Sequence, residues 1–149
     1  MSTILKTTTL AAMITFGLSA CGPESRQEAA EDVAEERQEG AEDLAEVRQD
    51  TQEDLQDARE AVADADGTDD MMEQNQDLQE TSAEAEYEVA VTQAENRLEV
   101  AQEQCETLTG DAKDRCDEEA QMQYENEKQL AEQRLDDARR DNVATADYD

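Results

Sequence analysis

Histidine and tryptophan are missing from these 149 residues, and there is one proline, one phenylalanine, three tyrosines and five glycines. Without histidine there is no imidazole to act as a base near neutral pH and no imidazole metal ligand. With so few aromatics the chain buries little area per residue, which excludes a thick globular core. Basic residues are also scarce. Twelve Lys+Arg face 42 Asp+Glu, a net charge of −30, and such a balance repels nucleic acid and anionic lipid headgroups. The abundant residues are Ala, Glu, Gln and Arg, which with little Pro or Gly favour helix. An all-α fold is expected, with acidic disorder as the alternative that this composition leaves open.

The first twenty residues differ from the rest. Lys6 is their only charge, and 7–17 is an uncharged, moderately apolar run containing Leu10, Ala11, Ala12, Met13, Ile14 and Phe16. A positive start, a short apolar stretch and small residues before a cut describe a signal peptide. The run is too short and too rich in Thr for a span, which needs about 20 apolar residues. It ends Leu18-Ser19-Ala20-Cys21. That tetrapeptide resembles the lipobox of bacterial lipoproteins. The resemblance covers only the leader. It implies cleavage between Ala20 and Cys21, a thioether-linked diacylglycerol on Cys21, and acylation of the new amine. Several acyl chains anchor far more firmly than one. In Gram-negative sorting an Asp after the Cys retains a lipoprotein at the inner membrane. Gly22 stands there instead, so the resemblance implies an outer-membrane protein facing the periplasm. Residues 21–24 form a short non-helical exit.

From Ser25, where Ser25-Arg-Gln-Glu28 reads as a capping box, the sequence repeats every eleven residues. Arg26, Arg37, Arg48 and Arg59 recur at that interval, as do Glu31-Asp32-Val33, Glu42-Asp43-Leu44 and Glu53-Asp54-Leu55. Eleven residues in three turns, about 3.67 per turn, keep a stripe nearly straight along one helix, here 25–65. At about 100° per residue, Val33, Leu44, Leu55 and Val62 share a face with the arginines, and the acids fall opposite. The arginines are therefore not placed for ion pairs within their own helix. They are candidate partner contacts, together with Val33, Leu44 and Leu55. Three readings stay open: helices that coil while each Arg reaches a carboxylate on a neighbour, a solitary solvated rod, or a face lying on the membrane. Apolipoprotein-like helices share the eleven-residue period, but this stripe is mostly Ala and gives weak membrane affinity.

Ala65-Asp66-Gly67-Thr68-Asp69-Asp70 interrupts the pattern, and 66–80 is expected to be an acidic linker. Asp64, Asp66, Asp69, Asp70 and Glu73 offer oxygen ligands for weak Ca²⁺ binding over 64–73, although their order is not that of an EF-hand loop. No other cofactor or metal is expected.

A helical hairpin is expected over 81–141. Thr81-Ser-Ala-Glu84 reads as a second capping box, and Tyr87, Val91, Ala94, Leu98, Ala101, Cys105 and Leu108 form a heptad seam. Gly110 suits the residue after a helix and Asp111 the cap of the next. Folding the chain there brings Cys105 to Cys116, Ala101 to Ala120, Leu98 to Tyr124, Val91 to Ala131, Tyr87 to Leu135 and Ala83 to Ala138. Six pairs agree on one register. With Cys21 consumed by lipid and an exported chain in an oxidising compartment, Cys105 and Cys116 are expected to form a disulfide. The stretch around 105–120 also resembles a Leu-x-Gly-x-Ala-Lys-Asp-x-Cys turn of short exported proteobacterial proteins, which implies a stapled hairpin and no activity. Residues 142–149 are expected to be a disordered tail.

Catalysis needs a nucleophile with a base, or a metal, in a pocket that excludes water. A slender helical chain without histidine gives no such expectation, nor one of a small-molecule substrate. The expected role is a lipid-anchored helical spacer, scaffold or docking element. Its partners are the membrane through the lipid, and a second copy or another protein through the helices. The alternative is an acidic module that captures a basic envelope protein, a cationic peptide or divalent cations. The chain resembles the murein lipoprotein family in being a helical lipoprotein. It ends Asp-Tyr-Asp and lacks that family's terminal lysine, so covalent cell-wall attachment is not expected.

Overall fold

The computed structural model describes residues 26–146, with the side chains of Arg26 and 143–146 left aside. The expectations for the leader, Cys21 and the exit segment fall outside the described residues. Within them the protein is all-α. Helix α1 spans Arg26–Asp64, α2 Thr68–Glu106 and α3 Asp111–Ala146. At about 1.5 Å per residue, α1 and α2 are each close to 60 Å long. Both outer helices pack on α2 and neither packs on the other. The structure is a thin array with α2 in the middle.

The α2–α3 hairpin has the register read from the sequence. Cys105 and Cys116 form a disulfide, with Cα atoms 5.6 Å apart. Cys105 is fully buried, and Ala94, Ala120 and Ala131 are buried along the same seam. Ala83, Tyr87, Leu135 and Ala138 meet further along. Leu108, placed in the seam by its heptad spacing, is exposed instead, because α2 ends at Glu106, before it. Gly110 takes φ +59°, the left-handed region that suits glycine. Its carbonyl accepts from the N–H groups of Lys113 and Asp114 to open α3. Beside the staple, Lys113 Nζ bridges Glu106 at 2.7 Å and Asp117 at 3.3 Å. Closing so short a loop stabilises the hairpin by about 3 kcal/mol in the chain-entropy picture.

Two boundaries differ from the sequence reading. The acidic linker expected over 66–80 is helical from Thr68 onward, so the break narrows to the residues around Gly67. Acids suit a helix start: Asp69 and Asp70 occupy the first turn of α2, where the positive end of the helix dipole favours them. Asp70 Oδ2 also accepts the Asp66 N–H at 2.8 Å. Gly67 turns the chain at φ +120°, a conformation that side chains disfavour. The supposed cap at Thr81 is mid-helix, where its hydroxyl donates to the Asp77 carbonyl at 2.9 Å. At the other end, the tail expected from 142 remains helical through Ala146. There the Asn142 side-chain amide donates to the Gln76 carbonyl at 3.0 Å.

These changes alter the architecture. With no flexible linker, α1 is not a rod projecting away from the hairpin. It folds back antiparallel along α2. The seam it uses is built on the eleven-residue period, through its smallest members. Ala29, Gly40 and Thr51 are the buried positions, while Val33, Leu44 and Leu55 are half-buried beside them. Small residues let the backbones approach closely, and the Asn96 amide of α2 donates to the Gly40 carbonyl. Thr51, buried, donates its hydroxyl to the Arg48 carbonyl at 3.2 Å. A Cβ at Gly40 would lie 2.8 Å from Asn96 Cγ, inside van der Waals contact.

Gly40→Leu is therefore expected to lift α1 from α2 while the stapled α2–α3 pair stays helical. Hydrogen exchange resolved by segment checks this: α1 amides lose protection and α3 amides keep theirs, and an unchanged α1 would contradict it. Gly40→Ala is expected to move stability by less than about 1 kcal/mol, because the better helix propensity of alanine offsets the displaced Asn96.

Candidate interaction site

The seam between α1 and α2 has two edges of opposite character. Along one runs an open groove of about 480 Å³, floored by Ala41, Leu44, Val100 and Ala101 and flanked by Arg37, Arg48 and Arg97. Along the other, Asp32, Glu35, Glu36 and Glu39 of α1 face Glu103 and Glu106 of α2. Of these six, only Glu106 has an ion-pair partner, Lys113.

The eleven-residue arginines lie beside the seam and not in it. Arg37, Arg48 and Arg59 are exposed, and no ion pair within 4 Å involves them among the described residues. In the reading in which each Arg reaches a carboxylate on a neighbouring helix, that carboxylate is not supplied by the other described residues of the chain. The cross-helix ion pairs belong to other residues. Arg97 of α2 meets Glu127 of α3 at 2.7 Å, and Arg139 of α3 meets Glu84 at 2.7 Å and Glu80 at 3.4 Å. All are exposed, and each contributes at most about 1 kcal/mol. These pairs join α2 to α3, and none of them reaches α1.

On α1 itself the repeat is used for local hydrogen bonds. Gln27, Gln38 and Gln49 each donate to the Glu four residues on, at 3.4, 3.1 and 3.4 Å. These amides hold the acids on the outer face without neutralising them.

Gly40, Thr51 and Asn96 are the residues that sequence reasoning passed over. A signal for the first two was present, because Ala29, Gly40, Thr51 and Val62 share the repeat interval and the smallest of them mark where a second backbone comes close. Asn96 carries no such signal. Its role appears only when α1 is laid on α2. Of the candidate calcium ligands near Gly67, Asp66 and Asp70 meet across the turn and Asp69 lies in the first turn of α2; among the described residues no three acidic or cysteine side chains are grouped to hold a metal ion. No helix among the described residues is long and apolar enough to cross a membrane.

Electrostatics sets one pH dependence. Partial burial pushes the Glu36 carboxyl above its ordinary range. Glu99 across the seam adds to the rise by its charge and by a side-chain hydrogen bond, and Glu35 and Asp43 add further charge. An acid whose pKa is raised by folding holds its proton more tightly in the folded state. Its stabilising contribution is full below the unfolded value and lost as pH rises through the folded one. The docking of α1 should thus weaken as pH climbs from the ordinary carboxylate range through the raised value of Glu36. Glu36→Gln, which keeps the hydrogen bond without the charge, should flatten this dependence in circular-dichroism melts taken between about pH 4 and 7. Identical pH profiles for the two proteins would refute it.

No family model matches this chain, and no curated protein or solved structure is significantly similar to it.

Proposed function

We propose that this chain is a non-enzymatic bacterial lipoprotein, tethered through Cys21 to the outer membrane and facing the periplasm, where its helices act as a scaffold or docking element. The observation that carries this reading is the order Leu18-Ser19-Ala20-Cys21 at the end of a charged-then-apolar leader. The described helices support it, because they pack on one another as a self-contained body. Such a body can be held at a membrane surface by lipid alone. Its thin, alanine-lined seams suit a part that presents long helical surfaces.

Mass spectrometry of the membrane-purified protein should find an amino-terminal Cys21 carrying acyl chains, and Cys21→Ser should move the protein from the membrane to the soluble fraction. An unmodified Cys21, or a serine variant that stays with the membrane, would remove this reading.

The second reading, an acidic module for a basic protein, a cationic peptide or divalent cations, is favoured by the open carboxylate edge formed by Asp32, Glu35, Glu36, Glu39 and Glu103. A lysine-rich peptide bound there would be released steeply as salt rises. Binding that is indifferent to salt would exclude this mode.

A further inference from the structure

The two broad faces of the α1–α2 pair carry charges of opposite sign. At about 100° per residue, α1 puts Arg37, Arg48 and Arg59 to one side of its buried line and Asp32, Glu39, Asp43 and Asp50 to the other. α2 continues the division, with Gln93, Arg97 and Gln104 on the arginine side and Glu99 and Glu106 on the acidic side. On a chain of net charge −30, a face whose groove meets Arg37, Arg48 and Arg97 and a single acid, Glu36 at its seam edge, is an unusual concentration of positive charge. It is also the face with the apolar groove over Leu44 and Val100.

We propose that the arginine face of one molecule docks on the acidic face of a second copy, so that copies stack front to back. This rests on the docking role proposed above and names its partner. Three observations carry it. Arg37 and Arg48 have no carboxylate partner among the described residues, and each sits at the rim of an apolar floor that stays open to solvent. An occupant of that groove must present an anion wherever an arginine stands, at intervals of eleven residues or about 16 Å along the helix. The acidic edge of this same α1 has that interval, in Asp32 and Asp43 and in Glu39 and Asp50. A copy displaced across the face without a change of direction therefore matches Arg37 and Arg48 each to an acid at once.

The contact is heterologous, since different surfaces of the two molecules meet, and it leaves a free arginine face at one end and a free acidic face at the other. Growth is open-ended. Net repulsion between copies acts mainly beyond the contact, where salt screens it over about 8 Å at physiological ionic strength. The paired charges, close together over an apolar floor, are screened less.

Sedimentation velocity of the full chain in a non-ionic detergent at physiological salt tests the proposal, alongside Cys21→Ser without detergent. The expected result is concentration-dependent growth past the dimer in both, so that a failed lipid anchor and a failed stack give different outcomes. Arg37→Glu/Arg48→Glu has two acidic faces and Glu39→Arg/Asp50→Arg has a basic patch on its acidic face. Each alone should associate at least about tenfold more weakly, and an equal mixture of the two should recover association. Circular dichroism confirms that both stay helical; these side chains are exposed and make no cross-helix bridge. If one variant loses helicity, Arg37→Gln/Arg48→Gln supplies the same weakening without reversal of charge. A native chain that stays monomeric at about 100 µM overturns the proposal, whether or not the groove then takes up an acidic peptide or an anionic amphiphile. Variants that associate as tightly as the native chain, or a mixture that recovers nothing, overturn it as well.

Discussion

Everything in this fold depends on how closely two backbones can approach α2. The chain has few large apolar side chains, so it cannot keep its helices together by filling a wide gap. It removes the gap instead. Alanine, glycine and threonine line the α1 seam, and alanine with one cystine lines the α3 seam. Close approach replaces bulk, and dispersion contacts between near backbones take the place of a core. The same economy explains why α2 is the central helix. It is half-buried or buried on both sides over much of its length, and only a helix with two small-residue seams can be packed from opposite directions while staying thin.

The two seams are secured differently. The α3 side has a disulfide next to its turn and ion pairs along its length, from Lys113 with Glu106 near the staple to Arg139 with Glu80 and Glu84 near the far end. The α1 side has the cross-helix hydrogen bond from Asn96 to Gly40 and a cluster of carboxylates around Glu36 and Glu99, themselves joined by a side-chain hydrogen bond. A covalent bond lowers the entropy of the unfolded chain whatever the solvent, whereas a seam flanked by like charges responds to pH and salt. The hairpin is thus the constant part of the molecule, and α1 the part whose attachment depends on conditions.

Charge placement completes the picture. A net charge of −30 spread evenly would oppose any association. Here it is sorted, with acids on one face of the α1–α2 pair and the unpaired arginines along the groove on the other. Sorting costs the fold little, because exposed charges contribute little to stability in either place. It gives the surface a direction that the composition does not disclose.

The helical class, the turn at Gly110, the Cys105–Cys116 bridge and the register of α2 on α3 were all determined by residues within one stretch of chain. Their physical basis is local: propensity, a heptad seam, and a short loop that leaves only one alignment. The eleven-residue period likewise determined that α1 has a stripe. What covers that stripe was decided by tertiary structure alone. Whether 66–80 is a linker or the first turns of α2 depends on Met72 and Leu78 becoming half-buried in the assembled array, and no local propensity reports that gain. The choice of Gly40 and Thr51 over Leu44 as the line of closest contact, and the use of Asn96 to meet it, likewise arise only when two distant segments share a seam. There the distance between backbones, and not the hydrophobicity of a face, selects which residues are buried.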